Sequence, residues 1–317
     1  MNVFLFSFNA ILPMLAAMFL GVLLSVFKNI KESDKDFLNT LCFRYLLPIH
    51  LFNSVSSIDF YAEFKVHIII FCIIAIIFIA VTAWIIFTIA IKDRGRRCIF
   101  IIASYRSNNL IFAMPLAANL FGTEGTKIAA MLVPVTIIMY NLISVVVFIY
   151  HSQEASQSTW LSIKNTFVDI TKNPLIIGSI LGIAFSLLRI TLPVSLHQGI
   201  SSIAATATPI SFVLLGAQIN LKVLNSNIRP ALALCCMRLI IVPAIITPIM
   251  VLVGFRGAAL GALMVAFAAP CAVATMVMAH NYKTDPVFAA QAVYLSSALS
   301  IITMFFLISV LKALTLI

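Results

Sequence analysis

The chain has 317 residues, 62% hydrophobic and 9% charged, with a mean hydropathy of +1.14 and a formal net charge of +10. Soluble domains average about 45–50% apolar and about 25% charged residues, so no water-bounded core could hide this much apolar surface. A soluble protein is excluded, and nucleic acid is not an expected partner, because the Lys and Arg residues fall in short segments between apolar runs.

Lipid leaves backbone polar groups no partners except those inside a helix or a closed barrel. Barrel strands alternate apolar and polar residues, and HIIIFCIIAIIFIAVTAWIIF (67–87) does not. The expected fold is therefore an all-α polytopic membrane protein. Apolar windows long enough to cross a bilayer occur at 4–27, 37–57, 65–91, 98–121 and 126–149. After a gap they recur at 173–190, 196–219, 230–253, 257–280 and 287–312, giving ten expected spans. The N-terminal run lacks both a preceding Lys or Arg and a small-residue cleavage site, so it is not expected to be a signal peptide. The six cysteines (42, 72, 98, 235, 236, 271) lie in apolar runs without metal-ligand spacing and read as small buried hydrophobes.

Segments after the odd-numbered spans carry Lys28, Lys31, Lys35, Lys92, Arg94, Arg96, Arg97, Lys164, Lys172, Lys222, Arg229 and Lys283, twelve in all. The opposite side carries five: Lys65, Lys127, Arg189, Arg256 and Lys312. The positive-inside bias puts the odd-numbered segments in the cytoplasm and both termini outside. Pro13, Pro48 and Pro115 are followed by Pro174, Pro209 and Pro270 at offsets of 161, 161 and 155. Five spans followed by five more form an inverted-topology repeat, an architecture common in secondary transporters. The expected units are a first repeat at 1–149, a cytoplasmic linker at 150–172 and a second repeat at 173–317. In the linker region Trp160, Ile163, Phe167 and Ile170 recur at helical spacing, as in a helix lying on the membrane surface.

Two spans hold a mid-segment proline among polar residues. Ser107, Asn108 and Asn109 precede Pro115 in span 4, and Pro270 lies in span 9. Proline removes a helical hydrogen bond, and opened backbone survives at membrane depth only inside protein or along a wet cavity. Paired broken spans are the sequence pointer to a transporter's binding site. Arg44, Arg106 and Arg238 are the only Lys or Arg residues inside spans, whereas all ten acids lie in loops or at span edges. Each such arginine costs on the order of 2.5–3.5 kcal/mol at a span centre, and its planar fork matches a carboxylate. Either the arginines bind an anion or they snorkel, since each sits roughly 12 Å from the cytoplasmic span end. For coupling, His50 is the mid-span group able to carry protons. Gln218, Thr275 and Gln291 are candidates for holding sodium.

RSNNLIFAMPL (106–116) resembles the Asn-x-Gly-x-x-Gly-x-Pro element of the auxin efflux carrier family. FNAILPMLAAMFLGVLL near the start, FRYLLPIHLF (43–52), TPISFVLLGAQI (208–219) and APCAVATMVMAHNYKTDP (269–286) are similar to that family's spans 1, 2, 7 and 9–10. The resemblance covers essentially the whole chain. It implies a five-plus-five repeat of the bile-acid-symporter and sodium/proton-antiporter type. Spans 1, 2, 6 and 7 would form a scaffold, and spans 3–5 and 8–10 a transport unit whose spans 4 and 9 cross at their prolines. Asn108, Pro115 and Pro270 would stand at the crossover. The family's glycines are replaced by Leu110 and Ala113, and Thr275 stands where an asparagine is usual. Plant members export auxin, and bacterial relatives are described as malate, malonate or other organic-acid permeases.

The expectation is a secondary transporter for small organic anions such as mono- or dicarboxylates, in a bacterial inner membrane. Its partners would be the anion and membrane lipids, and a homodimer is compatible with this reading. No cofactor beyond Na+ or H+ as coupling ion is expected. A cation transporter of the same fold should carry an Asp or Glu in the crossover. An intramembrane enzyme should cluster acids, or a His with Ser or Asp, within the spans. An ion channel should show a pore motif or a charged ring.

Overall fold

The structure is a computed structural model that describes residues 3–58, 65–151, 168, 170–219 and 228–317. Among these residues there are helices and no strands, as hydrocarbon requires of a chain that is not a barrel. The linker positions Trp160, Ile163 and Phe167 lie outside the described residues, whereas Ile170 is buried.

Helix α1 is Val3–Val26. Helix α2 covers 32–56, with a π-helical turn at Cys42–Leu46 between Glu32–Leu41 and Leu47–Ser56. Helix α3 is Val66–Ala90, and α4 is Arg94–Tyr105. Next come a π turn at Asn109–Ala113 and the helical stretch Met114–His151, which Gly122 interrupts with φ 59° and ψ −134°. Only glycine reaches that φ without strain, so the stretch is two limbs, α5 (109–121) and α6 (123–151). Helices α7 (Pro174–Leu187) and α8 (Val194–Ala217) follow. Helix α9 runs Ile228–Val253 through a third π turn at Met237–Ile241. Gly257–Ala268 is α10, Ala274–Asn281 is α11 and Pro286–Ala313 is α12.

The three π turns share one cause. Each begins six residues before a proline: Cys42 before Pro48, Asn109 before Pro115, Met237 before Pro243. A proline ring clashes with the carbonyl four residues back and cannot donate to it. Widening the preceding turn relieves the clash, and Leu47, Met114 and Val242 each donate to the carbonyl five residues back. The helix continues through all three sites.

Among the described residues, six helical stretches are long and apolar enough to cross a membrane alone: Val3–Val26, Val66–Ala90, Asn109–His151, Val194–Ala217, Ile228–Val253 and Pro286–Ala313. Their apolar side chains do not all turn inward. On α3, Ile68, Cys72, Ala75, Ile76 and Ile79 are buried, while Ile74, Phe78, Ile85 and Ile89 are exposed. A helix apolar on its outer face as well as its inner one is solvated by lipid.

Lipid supplies no hydrophobic drive between helices, so close packing relies on small residues. A Cβ on Gly21 of α1 would stand 1.9 Å from the Val213 carbonyl oxygen of α8, and one on Gly216 of α8 would stand 2.0 Å from that of Met18. Helices α2 and α7 approach similarly: a Cβ on Gly178 would meet the Pro48 carbonyl oxygen at 2.5 Å, and one on Gly182 would meet Val55 at 2.9 Å. These two glycine crossings tie α1 to α8 and α2 to α7, and packing of α2 on α8 joins the two pairs. Gly216→Ala is therefore expected to destabilise the protein by about 1–3 kcal/mol through overpacking. Gly199→Ala, on the same helix with nothing within 4 Å, should stabilise it by roughly 0.5–1 kcal/mol through helix propensity. Unfolding midpoints in detergent would separate the two.

Candidate functional site

The two broken segments meet at one point. Helix α10 ends at Ala268, and Ala269 is extended (φ −59°, ψ 151°) immediately before Pro270, the conformation that a proline ring favours in the preceding residue. The other break is not at Pro115. Pro115 lies within the helix, its clash absorbed by the π turn, and the chain opens instead at Arg106–Asn108, where Arg106 is extended (φ −84°, ψ 95°). The expectation of a crossing at both prolines is thus corrected for span 4.

The opened strands pair with each other. Asn108 N donates to the Pro270 carbonyl at 2.9 Å, and Ala272 N donates to the Arg106 carbonyl at 3.1 Å. This antiparallel bridge centres on Ser107 and Cys271. Cys271 N donates to Ser296 Oγ at 3.1 Å, which ties the bridge to α12.

Arg238 sits fully buried beside the bridge. Its Nε donates to the Ala269 carbonyl at 3.0 Å, one terminal nitrogen to the Ser104 carbonyl at 2.8 Å, and the other to Ser107 Oγ. The C-terminal carbonyls of a helix lack intrahelical partners and carry its negative dipole end. One guanidinium thus satisfies the ends of α4 and α10 together, which accounts for a full charge at this depth.

Arg106 lies across the bridge and is 6% exposed. Its terminal nitrogens donate to Ser144 Oγ at 3.1 Å and Asn141 Oδ1 at 2.9 Å, both on α6, and the guanidinium carbon stands 6.0 Å from the Tyr140 ring centroid. These partners are all neutral. Tyr105 and Ser144 share a hydroxyl contact at 2.9 Å, and Asn109 Nδ2 donates to the Tyr140 hydroxyl at 3.1 Å.

A cavity of about 340 Å³ opens at this place. Its walls include Arg106–Leu110 at the start of α5, Ala272–Ala274 at the start of α11, Thr136, Tyr140 and Asn141 of α6, Asn39 of α2 and Asn173 before α7. Arg106 is the one charged side chain among the described residues that line it. The N-terminal ends of α5 and α11 face the cavity, and such ends carry the positive pole of the helix dipole. Arg106 Nε, Asn108 Nδ2, Asn109 Oδ1 and Asn39 Oδ1 are buried without hydrogen-bond partners. Each such group costs roughly 1–3 kcal/mol unless something bonds to it. The arrangement can hold a small anion that also offers polar groups.

The other expected site residues lie elsewhere. Arg44 is exposed on the π turn of α2 and does not line the cavity. His50 is half-buried on α2, and Gln218 is half-buried at the end of α8. Thr275 is buried on α11 with its hydroxyl unpartnered and does not line the cavity, and Gln291 is buried on α12. Sequence reasoning passed over Tyr140, Asn141 and Ser144, whose one signal is polar character at helical spacing inside an apolar window. It also passed over Asn39 and Asn173, which sit near span ends where polar residues are ordinary.

Broken helices bridged beside a polar cavity, among helices apolar enough to cross a membrane, are the features of a membrane transport protein. The family model described as "Membrane transport protein" matches residues 6–308, and the chain belongs to that family, the auxin efflux carriers of the sequence resemblance. Curated relatives include an uncharacterized transporter of Methanothermobacter thermautotrophicus, 22% identical over 95% of this chain and 97% of its own length. Another, from Methanocaldococcus jannaschii, is 21% identical over 93% of this chain and 95% of its own length. The protein is a multi-pass membrane protein.

Arg238→Met would leave the carbonyls of Ser104 and Ala269 buried without donors, at a cost of roughly 3 kcal/mol or more. Arg238→Lys keeps the charge but loses the fork, so its unfolding midpoint in detergent should fall between those of Met and wild type. A Met variant as stable as wild type would show that Arg238 does not hold the crossover together.

Proposed function

We propose that the protein is a secondary transporter for small organic anions, mono- or dicarboxylates, that works by alternating access at the crossover. The observation that carries this reading is Arg106: a buried guanidinium with only neutral partners, facing a cavity into which two helix N-termini also point. A cation in that cavity would meet positive charge from three directions and a carboxylate from none of the described lining residues. The charge pattern therefore favours an anion over the cation transporter of the same fold. Intramembrane enzyme chemistry would need an acid or a His in the cavity wall, and the described lining has neither.

The proposed architecture is ten spans in a five-plus-five inverted repeat, with α4 and α5 forming span 4 and α10 and α11 forming span 9. Three features support it. The crossings of α1 with α8 and of α2 with α7 are interchanged when the first five spans are mapped onto the last five. Pro48 and Pro209 each stand eight residues before their helix ends, Ser56 and Ala217. The broken segments pair through one symmetric bridge. The glycine-packed helices α1, α2, α7 and α8 would serve as scaffold, and α3–α6 with α9–α12 as the moving unit. By the positive-inside bias both termini lie outside a bacterial inner membrane, and the cavity faces the cytoplasm. Na+ or H+ is the proposed coupling ion.

The test is uptake of labelled lactate and malate into proteoliposomes, with sodium, proton and voltage gradients imposed separately. Arg106→Gln should lower affinity for the transported anion about 10- to 100-fold, the worth of one or two hydrogen bonds to a charged group. Folded Arg106→Gln protein with wild-type affinity would make Arg106 structural, and uptake of neither acid by wild type would reject the anion reading.

A further inference from the structure

Among the described residues, the cavity lining extends from the crossover toward one end of the helices. From the crossover it runs past Asn141 and Met278 to Asn39, near the start of α2, and to Asn173, which caps α7. Five residues (27–31) join Val26 to Glu32, so the Val3 end of α1 lies at the opposite end of the molecule. There α1 is held to the helices of the proposed moving unit. Asn119, late in α5, donates to the Ala10 carbonyl at 3.0 Å. Ser309 of α12 donates to Ser7 Oγ at 2.9 Å, and the Ser7 hydroxyl in turn donates to the Val3 carbonyl at 3.1 Å. Phe305 meets Phe4 edge to face at 5.2 Å, and the Lys312 ammonium stands 4.6 Å from the Phe6 ring centroid.

These contacts differ in kind from the glycine crossings that bind α1 to α8. No glycine brings the backbones together here as Gly21 and Gly216 do, and the polar contacts are single hydrogen bonds near helix ends. Hydrogen bonds between membrane helices are individually weak, so a few of them close a passage reversibly. We propose that the contacts of α1 with α5 and α12 form the far-side gate, with Asn119 and Ser309 as its polar catches. The proposal rests on the alternating-access reading: if the cavity opens to both sides in turn, this set must break when it opens away from Asn39 and Asn173.

The hydroxyl oxygens of Ser7 and Ser309 stand 2.9 Å apart, so cysteines at these two positions bring their sulfurs close enough to be oxidised to a disulfide. The test uses Ser7→Cys/Ser309→Cys in a chain that also carries Ile137→Cys, a half-buried cavity-wall position. Five of the six native cysteines are buried, and wild type gives the background reaction. A membrane-impermeant maleimide is applied separately to each side of oriented liposomes. After oxidation, reaction from the cavity side should be unchanged and reaction from the far side should fall at least about tenfold. Reduction should restore it. Asn119→Leu without the cysteine pair should raise far-side reaction about threefold, the weight of one typical bond between membrane helices. Where the pair does not fold or close, that variant decides alone, and an unchanged rate rejects the gate. Far-side reaction that is absent from the reduced protein, or undiminished after oxidation, also overturns the proposal. Labelling needs no substrate, so these outcomes are separate from failure of the anion reading, which shows as absence of lactate and malate uptake.

Discussion

Hydrocarbon offers a peptide group nothing to bond to, and every unusual feature of this molecule answers that constraint. Opening a helix at mid-depth frees carbonyls on one side and N–H groups on the other. The protein opens two helices at the same place and lets the strands pair, through Asn108 N with the Pro270 carbonyl and Ala272 N with that of Arg106. The bridge saturates the middle of each break. Arg238 saturates the carbonyl ends of both incoming helices. Its mid-membrane charge is tolerable because it replaces two helix-end problems with a single ion held by three acceptors.

Neutralising the C-terminal ends has a consequence for the opposite side of the crossover. The N-terminal ends of α5 and α11 are left facing a cavity, and Arg106 adds a full positive charge there. Charge is therefore segregated by direction: negative helix ends toward Arg238, positive ends toward the cavity. On the carrier reading this segregation attracts an anion without any carboxylate having to be removed, and the unpartnered asparagine atoms give the rest of a polar ligand something to bond.

The same chemical defect has several outcomes in this chain, and Pro13, Pro134, Pro209 and Pro248 lie inside helices without a π turn. Pro48, Pro115 and Pro243 are each absorbed by a π turn, and the helix goes on; Pro270 ends one. The difference lies in what receives the freed backbone. Opened chain at Pro270 finds the strand at Arg106–Asn108 and the fork of Arg238, whereas nothing comparable meets the other three. A sequence pattern locates the prolines but not their neighbours. Sequence alone therefore places the span-4 break at Pro115, seven to nine residues beyond the opened stretch Arg106–Asn108, because no breaker stands at 106–108 itself.

Local chemistry alone determined a good deal. The all-helical class follows from lipid as solvent, and the apolar windows follow from bilayer thickness. Polar residues at 106–109 marked the site, since side chains that expensive in hydrocarbon need partners. Which partners they have was decided by tertiary structure. Arg238 bonds residues more than a hundred positions away in one direction and about thirty in the other, and Arg106 bonds α6 rather than its own turn. Three arginines that look alike in sequence thus became a helix-end clamp, a cavity wall and an exposed side chain. Composition and spacing report what a residue costs at a given depth; only the packing of distant helices determines what satisfies it.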